Sequence, residues 1–121
     1  MPQDPKDKIY NLEDRSLEFA KQVRIFISKI PKTLINMDDC KQLIRSSGSI
    51  GANYIEANES LSKKDFLMRI KICKKESKET IYWLNLLNNN QTSDTSHKIK
   101  ALISEATELM KIFGAIIVKS K

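Results

Sequence analysis

The sequence predicts an all-α fold, an antiparallel up-down-up-down four-helix bundle made by a single domain over residues 1–121. Three observations lead there. Apolar residues recur at helical spacing in four separate stretches, no stretch alternates in the manner of a half-buried strand, and only three glycines and three prolines punctuate the chain.

Residues 1–11 read as a frayed lead. In the first helix Phe19, Val23, Phe26 and Ile30 follow at spacings of 4, 3 and 4, joined by Ala20 and Ile27, and Pro31 ends the stripe. Asp38 and Asp39 can cap a second helix and complement its dipole, and that helix runs to about Ser60. Ser62-Lys63-Lys64-Asp65 resembles a capping box and opens a third helix, to about Leu87, with Phe66, Ile70, Cys73, Ser77, Thr80, Leu84 and Leu87 on its inner stripe. The turn formers from Asn88 to Asp94 make a loop, and Asp94 or Ser96 can cap the fourth helix. There Leu102, Ala106, Leu109, Phe113 and Ile116 keep heptad spacing beside Ile99, Ile103, Met110 and Ile117. This wide stripe, with Ile72, Trp83 and Leu86 off the inner stripe of the third helix, exceeds what a four-helix core buries and points to self-association.

Composition narrows the function classes. A chain with 40% hydrophobic and 30% charged residues is a folded domain rather than a disordered one. No apolar stretch approaches the roughly 18 residues of a membrane span, and Met1-Pro2-Gln3-Asp4-Pro5-Lys6 lacks an apolar signal region, so a cytoplasmic protein without a membrane partner is expected. Cys40 and Cys73 stand alone, which suits buried thiols and suggests neither a disulfide nor zinc. The single histidine, His97, leaves di-iron sites, nucleophilic triads and zinc hydrolysis without their parts. Neither nucleotide-loop motif, GxGxxG or GxxxxGK followed by Ser or Thr, is present. No catalytic residue, metal or cofactor is therefore assigned, although residue counting leaves carboxylate-only magnesium chemistry open.

Two patterns remain. The second helix contains Ser47, Gly48, Gly51 and Ala52, a run of small residues in which each glycine costs about 1 kcal/mol relative to alanine. Pairs four apart form ridges that let a neighbouring backbone approach. Asn53 and Glu56 lie beside those ridges, and with Arg45 and with Glu76 of the third helix they suggest a structural polar network, since a buried carboxylate needs a partner. The second pattern is a row of cations. Lys64, Lys71, Lys75 and Lys78 recur at spacings of 7, 4 and 3, Tyr82 continues the line, and Lys63 and Lys74 widen it. Residues 61–90 carry seven Lys/Arg against three Asp/Glu, out of a net charge of +6 for the chain. Such a face is either a solvated surface or a binding surface for nucleic-acid phosphates.

The stretch Ser49-Ile50-Gly51-Ala52-Asn53-Tyr54-Ile55-Glu56-Ala57, then Lys63-Lys64-Asp65-Phe66, then Lys75-Glu76-Ser77-Lys78-Glu79-Thr80-Ile81-Tyr82-Trp83-Leu84, resembles the bacterial four-helix bundle proteins encoded within intervening sequences of 23S ribosomal RNA genes. Asn58 departs from that pattern, where many members have glycine. The resemblance implies a homopentameric bundle. It also extends to the accessory variability proteins of diversity-generating retroelements, basic pentamers that bind nucleic acid and a reverse transcriptase. It implies no enzymatic activity.

Three readings follow. The first is a non-enzymatic oligomer that binds nucleic acid, RNA above all, through Lys63, Lys64, Lys71, Lys74, Lys75, Lys78 and Tyr82. The second is a structural or adaptor oligomer that recruits a protein partner. The third, an enzyme built on Asn53, Glu56 and Glu76, stands well behind both.

Overall fold

A computed structural model describes residues 11–89 and 91–120. They form four helices: α1 (Leu12–Lys29), α2 (Asn36–Asn58), α3 (Lys63–Leu87) and α4 (Ser93–Lys119). Each packs on its chain neighbour and α1 also touches α4, so the helices close a square in which α2 and α3 are most closely packed and α1 and α4 least. This is the all-α four-helix bundle expected. Apart from Asn11, the lead expected over residues 1–11 lies outside the described residues.

Local chemistry sets the helix ends. Asn11 caps α1, its side chain accepting from the Asp14 N–H, while Lys32 reaches back past Pro31 and donates to the carbonyls of Ile27 and Ile30. Ser62 caps α3 by accepting from the Asp65 N–H at 3.1 Å, as the sequence suggests. Two caps fall elsewhere. α2 begins at Asn36, where Thr33 and Asn36 exchange side-chain-to-backbone hydrogen bonds of 2.8 and 3.1 Å, and Asp38 and Asp39 sit inside the first turn. α4 begins at Ser93 with Thr92 as its cap, two residues before the expected Asp94, because the Thr92 hydroxyl accepts from the Thr95 N–H.

The core follows the predicted stripes. Phe19, Val23, Phe26, Leu43, Ile50, Ile70, Leu84, Ile99, Leu109 and Phe113 are buried, as are both cysteines. Burial pushes the Cys73 thiol up to about 12, and its Sγ donates to the Ile50 carbonyl at 3.4 Å. The broad stripe of α4 is used within the chain: Leu102, Ile103, Ile112 and Ile116 pack half-buried around the core, and so does Trp83 of α3. The surplus apolar surface is accordingly smaller than the sequence suggests.

The small residues of α2 separate into two roles. A Cβ at Gly51 would lie 3.2 Å from Ser16 Cβ and 3.8 Å from its carbonyl carbon, so Gly51 lets the backbone of α1 pack directly on α2. This contact walls in Ser16, 1% exposed, whose hydroxyl has no partner among the described residues. Gly48 meets no backbone. Its neighbour is the Arg24 guanidinium, 3.2 Å from where a Cβ would stand, and Ala52 is exposed. In α4, a Cβ at Gly114 would touch only Lys74, at 3.9 Å. These differences predict opposite responses to substitution. Gly114→Ala should raise unfolding stability by about 0.5–1 kcal/mol, the helix-propensity gain, because a flexible lysine is its neighbour. Gly51→Val should lower stability by more than about 1 kcal/mol, because α1 must move away. Urea denaturation of the two variants checks both signs.

Candidate nucleic-acid interface

Two arginines, Arg15 of α1 and Arg45 of α2, decide where the carboxylates of α3 and α4 point. Arg45 of α2 reaches α3, donating to Glu76 at 3.0 Å and to Glu79 at 2.8 Å. The Glu76 side chain is only 7% exposed and Arg45 is 52% exposed, so one carboxylate is buried against a guanidinium that water still reaches. The hydrogen bond that Arg45 donates to Glu79, with the field of both carboxylates, holds the Arg45 guanidinium above its ordinary value. Arg15 of α1 does the same for α4. It makes a bidentate pair with Glu105 at 2.8 Å for both bonds, which raises the Arg15 guanidinium, and the charge of Glu108 adds to the rise.

Asn53 joins this polar seam by another route. Its amide donates to the carbonyl and hydroxyl of Ser49, both at 2.9 Å, and its Oδ1 accepts from Arg69 of α3 at 3.0 Å. Deeper in the same seam the Thr80 hydroxyl, within 2.9 Å of Ser46 Oγ and 2.8 Å of the Glu76 carbonyl, ties α2 to α3. Glu56 does not belong to it. It is exposed, and its carboxylate makes no hydrogen bond or ion pair among the described residues. The reason is helical phase: three residues past Asn53, Glu56 is turned about 60° away, off the seam and towards solvent. Of the residues that the sequence groups in a polar network, Arg45, Asn53 and Glu76 hydrogen-bond across the α2–α3 seam and Glu56 does not; Arg69, one of the partners the sequence offers, pairs with Asn53, and Glu79 is added beside Glu76.

With those carboxylates drawn to one side, the outer side of α3 is left to cations. Lys63, Lys64, Lys71, Lys74, Lys75 and Lys78 are all exposed. Lys64, Lys71, Lys75 and Lys78 form one line, while Lys63 and Lys74 sit on its flank towards α4. Tyr82 stands at the end of the line, 57% exposed, its ring edge-on to Trp83 with centroids 5.1 Å apart. Two lysines of α4 continue the basic surface past the end of this line. Lys74 lies over Gly114, and Lys111 stands one turn before Gly114 with Lys100 three turns before that, both exposed. Their spacing of 11 residues was readable in the sequence, but which helix they face was not.

Comparison with known proteins places the chain. The family model of the 23S rRNA-intervening sequence proteins matches residues 9–115. The chain belongs to the 23S rRNA-intervening sequence protein family. A crystal structure of a protein of unknown function from the S23 ribosomal protein family of Bacteroides thetaiotaomicron VPI-5482 is similar to it, 33% identical over 87% of this chain and 96% of that chain, with a TM-score of 0.71. No curated protein matches the sequence.

Elsewhere on this family member, α1 and α4 part to leave a groove of about 750 Å³, with Phe19, Ile25, Phe26 and Leu102 among its lining. Among the described residues no three His, Cys, Asp or Glu side chains converge to hold a metal ion, and no helix is long and apolar enough to cross a membrane.

The seam and the exposed carboxylate give separable expectations. Arg45→Ala leaves Glu76 buried and unpaired and should lower stability by about 1–3 kcal/mol, less than the full loss of a wholly buried pair because Arg45 is half exposed. Glu56→Ala should change it by less than about 0.5 kcal/mol. Equal losses in chemical denaturation would show that this division of the polar residues is wrong.

Proposed function

We propose that this protein is a non-enzymatic, cytoplasmic oligomer that binds RNA through the outer face of α3. The observation that carries the reading is the separation of charge: Glu76 and Glu79 turn to Arg45, Glu105 turns to Arg15, and the lysine line is left without a carboxylate to neutralise it. A merely solvated face has no need of that separation, whereas phosphate binding depends on it. The family's description, which names an intervening sequence of 23S rRNA, supports RNA as the nucleic acid.

Oligomerisation sets the strength of the interaction. One chain at +6 is modestly basic, but a ring of five would carry +30 and repeat the lysine line five times. A pentamer is also what the resemblance to the accessory variability proteins implies. Ile72 and Trp83, with exposed Leu86 nearby, are the anchors suited to the subunit contact, since large apolar side chains dominate interface energetics. Light scattering of the purified protein should therefore report about five times 13.9 kDa, and a monomer at micromolar concentration would refute the ring.

Binding of this kind is largely sequence-independent, because the line is made of lysines, which contact phosphates, and exposed Asn85 beyond its end is a single amide rather than a base-reading set. Each phosphate contact releases counterions, so affinity falls steeply with salt. Lys71→Glu/Lys75→Glu/Lys78→Glu should retain the parent's assembly but lose RNA affinity by about 10-fold or more at low salt, with a shallower salt dependence. Should the triple variant bind as the parent does, the second reading leads: an adaptor that recruits a protein partner, for which the α1/α4 groove is the available surface.

A further inference from the structure

The basic surface is one long track, and it does not end where the lysines of α3 end. In the alignment that Lys74 and Gly114 set, Lys111 and Lys100, which precede Gly114 by 3 and 14 residues, come level with Ser77 and Asn88 at the end of the antiparallel α3. From Lys64 to the level of Lys100 the cations cover a rise of 24 residues, about 36 Å at 1.5 Å per residue. Glu108, exposed one turn from Lys111, stands on the side of α4 towards α1, where its charge helps to raise the Arg15 guanidinium. The track itself is left to lysine.

A straight line of that length suits a flexible strand better than a double helix. Each strand of a duplex winds away from the line and returns to the same side once per turn, roughly 34 Å in B-form DNA, so a duplex lying along the track would meet it with phosphates only at intervals. A single strand can follow the whole of it. At about 3.4 Å for each stacked nucleotide, the track has room for about 10.

A single strand also exposes its bases, and the track holds a place for one. Tyr82 stands between Lys78 and the level of Lys100 and is 57% exposed. Its ring meets that of Trp83 at 78°, a perpendicular contact that covers at most one face of the phenol and leaves the other open to a base. Asn85 stands to Tyr82 as Lys74 stands to Lys71, three residues on, and is therefore turned towards α4 and Lys100. It is exposed, and its amide makes no hydrogen bond among the described residues. Residues three apart on a helix have Cβ atoms about 5–6 Å apart, so a base stacked on Tyr82 brings its edge within reach of this amide. A duplex, with its bases stacked on one another, withholds that contact.

We propose that this face takes single-stranded RNA, laid along the lysine track with one base unstacked onto Tyr82 beside the Asn85 amide. The inference rests on the RNA-binding reading given above and specifies the form of RNA.

The test uses the full-length protein and two probes, a strand of about 12 adenosines and cytidines, which cannot pair with itself, and the same strand annealed to its complement. Affinities are measured between about 50 and 200 mM salt. The unmodified protein should bind the strand about 5-fold or more tightly than the duplex, the worth of one stacked base. Tyr82→Ala, in protein that assembles as the parent does, should lose about 5-fold or more in strand affinity with the salt slope unchanged, because no phosphate contact is removed. Tyr82→Phe, which keeps the ring, should bind as the parent does. Equal or tighter binding of the duplex overturns the single-strand assignment while leaving RNA binding in place, and this comparison needs no variant. Strand affinity indifferent to Tyr82→Ala overturns the stacking site. Failure to retain either probe at the lowest salt overturns RNA binding itself, and the single-strand assignment with it.

Discussion

The bundle depends on how closely its second helix can be approached. α2 carries small or thin groups towards both neighbours: Gly51 admits the backbone of α1 at Ser16, and Ser46 meets Thr80 of α3. Helices that approach this closely exchange side-chain volume for backbone contact, which leaves little freedom in their relative register. The Thr80 and Ser77 hydroxyls and the Cys73 thiol then find partners across or along the α2–α3 seam, at Ser46, at the Cys73 carbonyl and at the Ile50 carbonyl. α1 and α4, with no such small-residue seam between them, stand farther apart and leave the groove.

That register has an electrostatic consequence. Once α2 and α3 are locked, Arg45 comes within reach of Glu76 and Glu79, and Asn53 within reach of Arg69. Arg15 draws Glu105 towards α1 in the same way. The ion pairs contribute modestly to stability, since Arg45 is half exposed and water screens it. Their larger effect is to gather negative charge on the α1 and α2 sides of the molecule. Potential then accumulates on the opposite side, where lysines of α3 and α4 repel one another in the free protein and are relieved by an anion.

The same geometry occupies the polar residues of the α2–α3 seam with one another. Glu76 is buried against a guanidinium and Asn53 is engaged by both of its amide atoms, so neither presents a free group to a substrate. Glu56 is exposed on α2 and its carboxylate makes no hydrogen bond or ion pair among the described residues. A reactive thiol is not offered either, because burial keeps Cys73 protonated far above its ordinary range.

Much of this was legible in the residues themselves. The four helices, the core stripes and the Ser62 cap follow from periodicity and capping chemistry, which act over a few residues and are written locally. The lysine line on α3 is likewise a matter of spacing within one helix. What spacing could not tell is where one helix stands against another. Asn53 and Glu56 look equivalent in sequence, yet a 60° difference in phase at the α2–α3 seam buries one in hydrogen bonds and leaves the other in water. Lys100 and Lys111 are unremarkable in α4 until Gly114 is found under Lys74, which sets Lys111 about level with Lys78 and Lys100 beyond the end of the α3 line. The sequence alone determined the helices, their apolar faces and the excess of positive charge, because those are properties of a helix by itself. Only the tertiary structure decided which carboxylates are paired, which are bare and which lysines stand together, because these depend on the packing of side chains between helices.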